Sequence, residues 1–173
     1  MDNFVIIAKT IEELEEYTIC FLKIAEKHNL CFKQSKYDIN IEEIPILRVI
    51  IGRGHIQMEN NKVKVVKEWK TPTKIKEVES FLGFTNFYRL FIKKFSHTTR
   101  PLNKLKEKKD WKWKKEYQKA FEEFKDKITS QPVLTLPKRE GKFQVEVDTL
   151  EHVIEGVLSQ EQEGKWRPIV FLS

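Results

Sequence analysis

The spacing of the apolar residues changes along this chain, and that change restricts the possible folds more than any other feature. Between residues 116 and 129 the apolar side chains recur at helical intervals, which places Tyr117, Phe121 and Phe124 on one face of a helix. From residue 143 onward they alternate with polar residues, as in a strand with two unlike faces. Separate helical and alternating stretches predict an α+β fold.

The N-terminal part of the chain predicts a small β-sheet backed by one helix. Thr10 followed by Glu13 is a capping-box pattern that opens a helix, and the helical spacing stops near residues 28–29. Short apolar runs bounded by polar or turn-forming residues predict the strands. In chain order, these strands are expected at residues 4–8, 30–32, 44–51 and 55–58.

The middle of the chain predicts five short helices rich in aromatic residues. Pro72 and Pro132 mark helix boundaries because proline cannot donate a backbone hydrogen bond, and Gly83 is a further stop signal. Pro101 is expected near the start of a helix, where its fixed backbone angle is tolerated. These signals predict helices at residues 62–69, 73–83, 86–95, from 100 onward, and 116–129.

The last forty residues predict an antiparallel meander of three strands. Phe143, Val145 and Val147 share one face of its first strand, whereas Asp148 lies on the opposite, polar face. The second strand is expected at residues 153–160 and the third from residue 169, close to the end of the sequence. A meander that stops in mid-sheet leaves an unpaired edge, so the expectation is a truncated domain.

Charge is distributed unevenly along the chain. The net charge is +6, but residues 89–119 carry twelve Lys or Arg against three acidic residues. Clustered cations release counterions from phosphate groups, so this region is a candidate polyanion-binding surface. A lysine-rich surface that contacts only water explains the same composition equally well at this point.

Cysteine usage and hydropathy indicate the compartment. Cys20 and Cys31 have no paired spacing and lie in otherwise apolar stretches, which predicts reduced thiols in an intracellular protein, cytoplasmic or nuclear. The apolar run at residues 4–8 is too short for a signal-peptide core or a membrane span. No membrane partner is therefore expected.

An ordered series of aromatic, proline, glycine and other punctuating residues runs through the chain from Trp69 onward. Its members are Trp69, Pro72, Ser80, Phe81, Leu82, Gly83, Phe87, Tyr88, Arg89, Phe91, Ile92, Phe95, Pro101, Leu102, Trp113, Ala120, Phe121, Pro132, Val157, Leu158, Ser159 and Gln160. This series resembles the Pol polyprotein of gypsy-type LTR retrotransposons, in the stretch from reverse transcriptase into its RNase H-like domain. The resemblance implies four regions: the end of the palm at 1–60, thumb helices at 61–110, a connection at 111–137 and a truncated RNase H-like domain at 138–173.

The resemblance places the remains of a polymerase motif at the N-terminus. The family carries two consecutive aspartates that hold catalytic metal ions, and Asp2 matches the first of them, whereas Asn3 replaces the second. An amide supplies a neutral oxygen where the cations need charged ligands. Residues 46–51 resemble the hairpin that grips the primer, with Arg48 where the family has glycine.

The resemblance also assigns Asp148 to the position of an RNase H metal ligand. The family implies Mg²⁺ at both sites, with Asp2 and Asp148 as the inherited catalytic and metal-binding positions, but its other RNase H ligands lie beyond residue 173. One carboxylate cannot hold two divalent ions, so no tightly bound metal is expected. Val153 and Glu155 stand where the family has glycines, which suggests relaxed selection or a locally altered strand.

The basic region gains a specific interpretation from the resemblance. In related polymerases the thumb and connection contact the template–primer backbone, so a nonspecific nucleic-acid partner is expected, either a template–primer or an RNA–DNA hybrid. Most aromatic residues of this region are expected in the core, with Trp111 and Trp113 less easily assigned. The expected phosphate-binding residues are Arg89, Lys93, Lys94, Lys104, Lys106, Lys108, Lys109 and Lys112.

Three functional interpretations fit the sequence. The first is a remnant of a reverse transcriptase and RNase H polyprotein that is inactive alone but keeps nucleic-acid affinity. The second is a fragment of an active RNA-directed DNA polymerase and ribonuclease H whose remaining parts lie outside this chain. The third is a domesticated nucleic-acid-binding or regulatory module. The sequence does not choose an oligomeric state.

We predict that the purified chain neither extends a primer nor cleaves the RNA strand of an RNA–DNA hybrid in the presence of Mg²⁺ or Mn²⁺. The reason is that its carboxylates are too few to hold two cations around a reacting phosphate. Gel assays with labelled primer and labelled hybrid measure both activities. Incorporation abolished by Asp2→Ala, or cleavage abolished by Asp148→Asn, would contradict the prediction.

Overall fold

The structure, a computed structural model, describes residues 4–108, 110–130, 133–150 and 153–173. The chain divides into two compact units, Met1–Glu42 and Glu43–Ser173. Each unit has its own packing and is described separately. The four-region division inferred from the sequence stays a prediction.

The N-terminal unit contains one long helix, α1 (Ile11–Lys27), and a short 3₁₀ turn at Gln34–Lys36. The N-cap role of Thr10 is confirmed, because its side-chain oxygen accepts the backbone N–H of Glu13 at 3.2 Å. The return bond of a capping box differs, since the Glu13 carboxylate accepts the backbone N–H of Lys9, at 3.0 Å, rather than that of Thr10. The helix ends at its C-cap residue, His28, as the spacing predicts. Satisfying one of the free N–H groups at the helix start stabilises it by about 1 kcal/mol.

The strands predicted at residues 4–8 and 30–32 are wrong, because both segments are irregular. Phe4, Phe21 and Phe32 instead form an aromatic cluster, with ring centroids separated by 5.3, 5.7 and 5.4 Å. An apolar segment becomes a strand only when another strand supplies hydrogen-bond partners, and none lies among residues 4–42.

The C-terminal unit begins with a sheet of four antiparallel strands in the order β1-β2-β3-β4. The single strand predicted at residues 44–51 is a hairpin, because a two-residue turn at Leu47 and Arg48 reverses the chain. No local pattern predicts β4, which has two residues and pairs with β3 across a large sequence separation. The strands are β1 (Glu43–Ile46), β2 (Val49–Gly52), β3 (His55–Met58) and β4 (Leu134–Thr135).

The described residues of this unit contain four further helices: α2 (Asn60–Lys67), α3 (Ile75–Asn86), α4 (Phe95–Lys106) and α5 (Lys115–Thr129). Gly83 does not end α3, since a glycine inside a helix costs only about 1 kcal/mol relative to alanine. The helix predicted at residues 86–95 is wrong: a 3₁₀ turn at Arg89–Phe91 is followed by Lys94 in the left-handed region. No helix in the described residues is long and apolar enough to cross a membrane.

Aromatic side chains hold α3, α4 and α5 together. Phe81 of α3 is fully buried, and its ring centroid lies 4.7 Å from that of Phe121 and 5.6 Å from that of Phe124 on α5. Phe95 of α4 packs against the same Phe124 ring at 5.4 Å. Burying rings of this size is the largest apolar contribution that single residues make to a core.

A second sheet has three antiparallel strands, β5 (Phe143–Leu150), β6 (Val153–Gln162) and β7 (Lys165–Leu172). β6 pairs regularly with β5 throughout, so the altered strand expected at Val153 and Glu155 is wrong. Both are L-residues in ordinary extended backbone, which tolerates a side chain. One face of this sheet packs toward the helices through Phe171. The opposite face exposes Phe143, Val145 and Val147, which are 50%, 64% and 63% accessible.

We predict that Phe121→Ala lowers the free energy of unfolding by about 3–5 kcal/mol, because it opens a cavity between α3 and α5. Urea denaturation followed by circular dichroism measures the loss. The matched control is Phe143→Ala, which removes a half-exposed ring and should change stability by about 0.5 kcal/mol. Equal losses in the two variants would contradict this core assignment.

Candidate nucleic-acid interface

Of the two positions predicted from the resemblance to hold metal ions, the structure describes one. Asp2 and Asn3 lie outside the described residues. Asp148 lies on β5 with its side chain 60% exposed, and its Oδ2 forms an ion pair with Lys94 Nζ at 3.6 Å. Lys94 precedes α4, so the pair joins the second sheet to the start of a helix.

The surroundings of Asp148 do not fit a catalytic metal centre. An ammonium group lies against its carboxylate, and positive charge there opposes a divalent cation. Within the described segments, no group of three His, Cys, Asp or Glu side chains is arranged to hold a metal ion. At Asp148 the chain therefore supplies a carboxylate paired with a competing cation rather than a ligand set.

Glu155 is a second acidic residue beside Asp148. From the sequence alone, Glu155 is recognised only as a residue that replaces a family glycine. The two residues are direct cross-strand partners, which places their side chains on the same face of the sheet. Glu155 is only 5% exposed, and neither of its carboxylate oxygens has a hydrogen-bond partner in the described structure. Burying an unpaired acid costs free energy, so this position is a local source of instability.

The start of α4 contacts the second sheet at a further point. The Ser96 backbone N–H donates to the Ser173 hydroxyl oxygen at 3.3 Å, and the two hydroxyl groups lie 3.2 Å apart. Together with the Lys94–Asp148 pair, this contact ties the N-terminal end of α4 to the ends of β5 and β7. The orientation of α4 is therefore fixed at its start as well as by its core.

The predicted phosphate-binding residues fall into two groups rather than one stripe. Arg89, Lys93 and Lys94 lie before α4, and Lys104 and Lys106 lie in its last turn. With a rise of 1.5 Å per residue, the two ends of α4 are about 18 Å apart. Arg89, Lys93 and Lys104 are exposed, whereas Lys94 and Lys106 are half-buried.

Some of the predicted cations have internal partners. Lys94 is paired with Asp148, and the Lys108 ammonium donates to the Tyr117 hydroxyl at 2.7 Å. That hydrogen bond, together with attraction to Tyr117, raises the pKa of Lys108. Lys112 is exposed, and Lys109 lies outside the described residues.

The aromatic residues near the lysines belong mainly to the core. Trp111 and Trp113 are partly buried against it, and the Trp113 indole N–H donates to Gln118 at 2.7 Å. Phe87 differs, because it is 44% exposed at the end of α3 and lies beside Arg48. Arg48 is absent from the predicted set of phosphate-binding residues, since it lies in a turn far from the basic region in sequence.

Comparison with known proteins identifies relatives of every part of this chain. Residues 113–173 match a family described as an RNase H-like domain found in reverse transcriptase. The chain is 33% identical over 177 residues to the transposon Tf2-7 polyprotein of Schizosaccharomyces pombe, and 33% identical to the retrovirus-related Pol polyprotein from transposon 297 of Drosophila melanogaster. Both alignments cover 100% of this chain, which spans only 13% and 16% of those relatives.

Solved structures show the same fold. A foamy viral protease-reverse transcriptase in complex with RNA/DNA hybrid superimposes with a TM-score of 0.80 and 21% identity, covering 95% of this chain and 23% of that one. The same viral protein in complex with dsDNA gives a TM-score of 0.82, also at 21% identity, over 96% of this chain and 35% of that one. At this level of identity the likeness concerns the arrangement of elements.

We predict that Glu155→Gln raises the free energy of unfolding by about 1–3 kcal/mol, because a neutral amide replaces a buried carboxylate that has no partner. Urea denaturation at neutral pH measures the gain. Glu146→Gln is the control: Glu146 is exposed on the neighbouring strand β5, and its substitution should change stability little. A Glu155→Gln protein less stable than wild type would show that the carboxylate is engaged.

Proposed function

Because this chain belongs to the Pol polyproteins of gypsy-type retrotransposons, in the region that joins reverse transcriptase to its RNase H-like domain, we propose that it binds nucleic-acid duplexes through their phosphates, without sequence preference and without catalysis of its own. The observation that carries the proposal is a set of lysines displayed at the end of α4. Nonspecific duplex binding needs cations on a rigid support, and this helix supplies both.

The α4 lysines face outward because the leucines near them in the helix face the core. Leu102 and Leu105 are completely buried, so the neighbouring Lys104 and Lys106 are turned toward the surface. The α4 sequence contains no acidic residue that would neutralise them. Cations in the last turn also interact favourably with the helix dipole.

The expected binding is dominated by release of counterions from the phosphates. Each phosphate that a Lys or Arg neutralises should contribute about 0.9 to the slope of log affinity against log salt concentration. Such contacts carry no base information, so hybrid and DNA duplexes of unrelated sequence should bind with similar affinity. Two of the structural relatives are described as complexes with RNA/DNA hybrid and with dsDNA, which supports a duplex as partner.

Catalysis by this chain alone is not part of the proposal. Mg²⁺, which the family implies, would polarise a phosphate and activate water where several acids hold it, but the Lys94–Asp148 ion pair makes this site unsuitable. We expect Mg²⁺ to bind Asp148 weakly and to compete with Lys94 for it. Nucleic-acid binding by an LTR-element protein also agrees with a cytoplasmic or nuclear location.

A second candidate function is supported by the length of the relatives. The chain spans 13% and 16% of the two polyproteins, so much longer proteins contain a segment of this kind. In such a protein this segment would position a duplex for active sites completed by other segments. Nucleic-acid binding by α4 is common to both candidates.

We predict that the double variant Lys104→Glu/Lys106→Glu weakens binding to a short fluorescein-labelled RNA–DNA hybrid and lowers the salt slope by about 2, one for each lost phosphate contact. Fluorescence anisotropy between about 50 and 200 mM NaCl measures both quantities. The physical reason is that each substitution replaces a cation facing phosphate with an anion.

The matched control is Lys64→Glu/Lys67→Glu, which makes the same charge change in the last turn of α2. It should reduce affinity less and leave the slope closer to that of wild type. Affinity that does not depend on salt, or equal effects of the two double variants, would count against α4 as the binding element.

A further inference from the structure

A cavity of about 450 Å³ lies where the two sheets of the C-terminal unit meet. Its walls come from the β2–β3 turn, from β4 and the segment after it, and from the β6–β7 turn with the first half of β7. This volume is within the range of small-molecule sites, roughly 300–1,000 Å³. The charged and ionisable residues of the lining are Arg53, His55, Lys138, Glu163 and Arg167.

Positive charge predominates in this lining. Arg53, Lys138 and Arg167 each supply a cation from a different wall of the cavity. Among the described residues that line it, Glu163 is the one acid. Cations that converge on one cavity from several elements are arranged to bind an anion rather than to face water separately.

The basic groups on the β3 side have an acidic neighbour that neutralises them only in part. Glu43 Oε1 lies 3.6 Å from Arg53 Nε and 3.6 Å from His55 Nε2, so one carboxylate serves two basic groups. Both distances are long for a charge-assisted hydrogen bond, and the Arg53 side chain is 64% exposed. The guanidinium of Arg53 therefore keeps donors that can turn toward a ligand.

Arg167 is the cation whose hydrogen-bonding requirement is not met. Its Nη2 donates to Glu163 Oε2 at 2.8 Å, across the β6–β7 turn. Its Nε is buried and has no hydrogen-bond partner in the described structure. A buried donor without an acceptor costs free energy, so a ligand that brought an oxygen to this N–H would stabilise the protein.

Buried amides hold the wall that carries Lys138. Gln160 is fully buried, its Oε1 accepts the Lys138 backbone N–H at 2.8 Å, and its Nε2 donates to the Lys138 carbonyl at 3.1 Å. Gln162, a lining residue that is 8% exposed, donates to the Leu136 carbonyl at 3.0 Å. The Leu136 backbone N–H donates to the Gly54 carbonyl at 2.9 Å, so the segment is bonded to both sheets. The walls are thus fixed before a ligand binds, which lowers the cost of binding.

We propose that this cavity binds a small phosphate-bearing anion, either inorganic phosphate or the terminal phosphate of a nucleotide. Guanidinium forks of Arg53 and Arg167, with the ammonium of Lys138, can donate to different oxygens of one tetrahedral group. Rotation of the half-buried Arg167 guanidinium would bring its unpaired Nε–H to one of them. The site goes beyond the proposed function, because none of its residues belongs to α4.

A phosphate suits this lining better than a carboxylate does. A planar carboxylate engages one fork at a time, whereas a tetrahedral dianion presents oxygens to donors on several walls. Glu163 already offers Arg167 a carboxylate, and the Nε of that arginine still has no partner. Val133 and Pro168 add apolar wall, which suits the sugar or base of a nucleotide.

Titration with sodium phosphate, followed by NMR of the arginine Nε–H groups, tests the proposal directly. We expect the Arg167 signal, assigned by its loss in Arg167→Lys, to shift in a saturable manner. Sodium acetate at matched ionic strength should shift it much less, because acetate carries one charge and only two oxygens. An unchanged Arg167 signal with phosphate, or an equal response to acetate, would overturn the proposal.

Substitutions at Arg167 and Glu163 should change phosphate affinity in opposite directions. Arg167→Gln removes the guanidinium and should weaken binding about tenfold. Glu163→Gln removes the acid that competes for the same guanidinium and should strengthen binding about two- to fivefold. Isothermal titration calorimetry measures both, and circular dichroism shows that each variant is folded. Weaker binding in both variants, or no change in either, would contradict the site.

Lys138→Gln tests a second wall and does not depend on the folding of Arg167→Gln, because the Lys138 side chain is exposed. It should weaken binding about threefold. The matched control is Arg139→Gln, which removes an exposed neighbouring cation that does not line the cavity and should change affinity by less than about twofold. Equal losses in these two variants would show a response to net charge alone and overturn the site.

Adenosine monophosphate separates the two sources of phosphate. Tighter binding than inorganic phosphate assigns the cavity to a nucleotide, and equal affinity assigns it to the free anion. Binding of neither overturns the proposal. Hybrid binding by the α4 lysines is measured independently, since substitutions at Lys104 and Lys106 leave this lining unchanged.

Discussion

The packing of Phe124 between two other rings is the contact on which the rest of the C-terminal unit depends. Phe81 of α3 and Phe95 of α4 both lie against Phe124 of α5, at 5.6 and 5.4 Å. These rings set where α4 runs, and its inward Leu102 and Leu105 set which of its side chains face solvent. The position of the lysines is therefore a consequence of apolar burial, because lysines exert no comparable constraint on a helix.

Elements stabilised by local signals are predictable from this sequence, and elements stabilised by distant pairing are not. The Thr10 N-cap and the apolar stripe of α5 depend on residues within a few positions, and both are found as predicted. β4 forms only because Thr135 pairs with His55, and no local pattern contains that information. The helix end predicted at Gly83 is wrong, because a glycine ends a helix only where the backbone must turn. Here α3 continues to Asn86.

In the candidate site, too, features set by nearby residues are predictable and features set by distant contacts are not. Alternation along β5 correctly separates Asp148 from the Phe143 face, since it requires only the period of a strand. The partner of Asp148 cannot be read from that pattern, because Lys94 belongs to another element and meets it only through tertiary packing. Arg48 and Phe87 likewise come together across the fold, and the sequence contains only an unusual residue in a turn.

The open face of the second sheet responds to ionic strength differently from the basic surface of the molecule. Phe143, Val145 and Val147 are half or more exposed on one strand, and Leu172 on another is 53% exposed, so this face presents apolar surface to solvent. Salt screens charges that lie in water, whereas it does not weaken the tendency of apolar surface to leave water. Added salt would therefore weaken the proposed contacts with phosphate while leaving any contact through this apolar face intact.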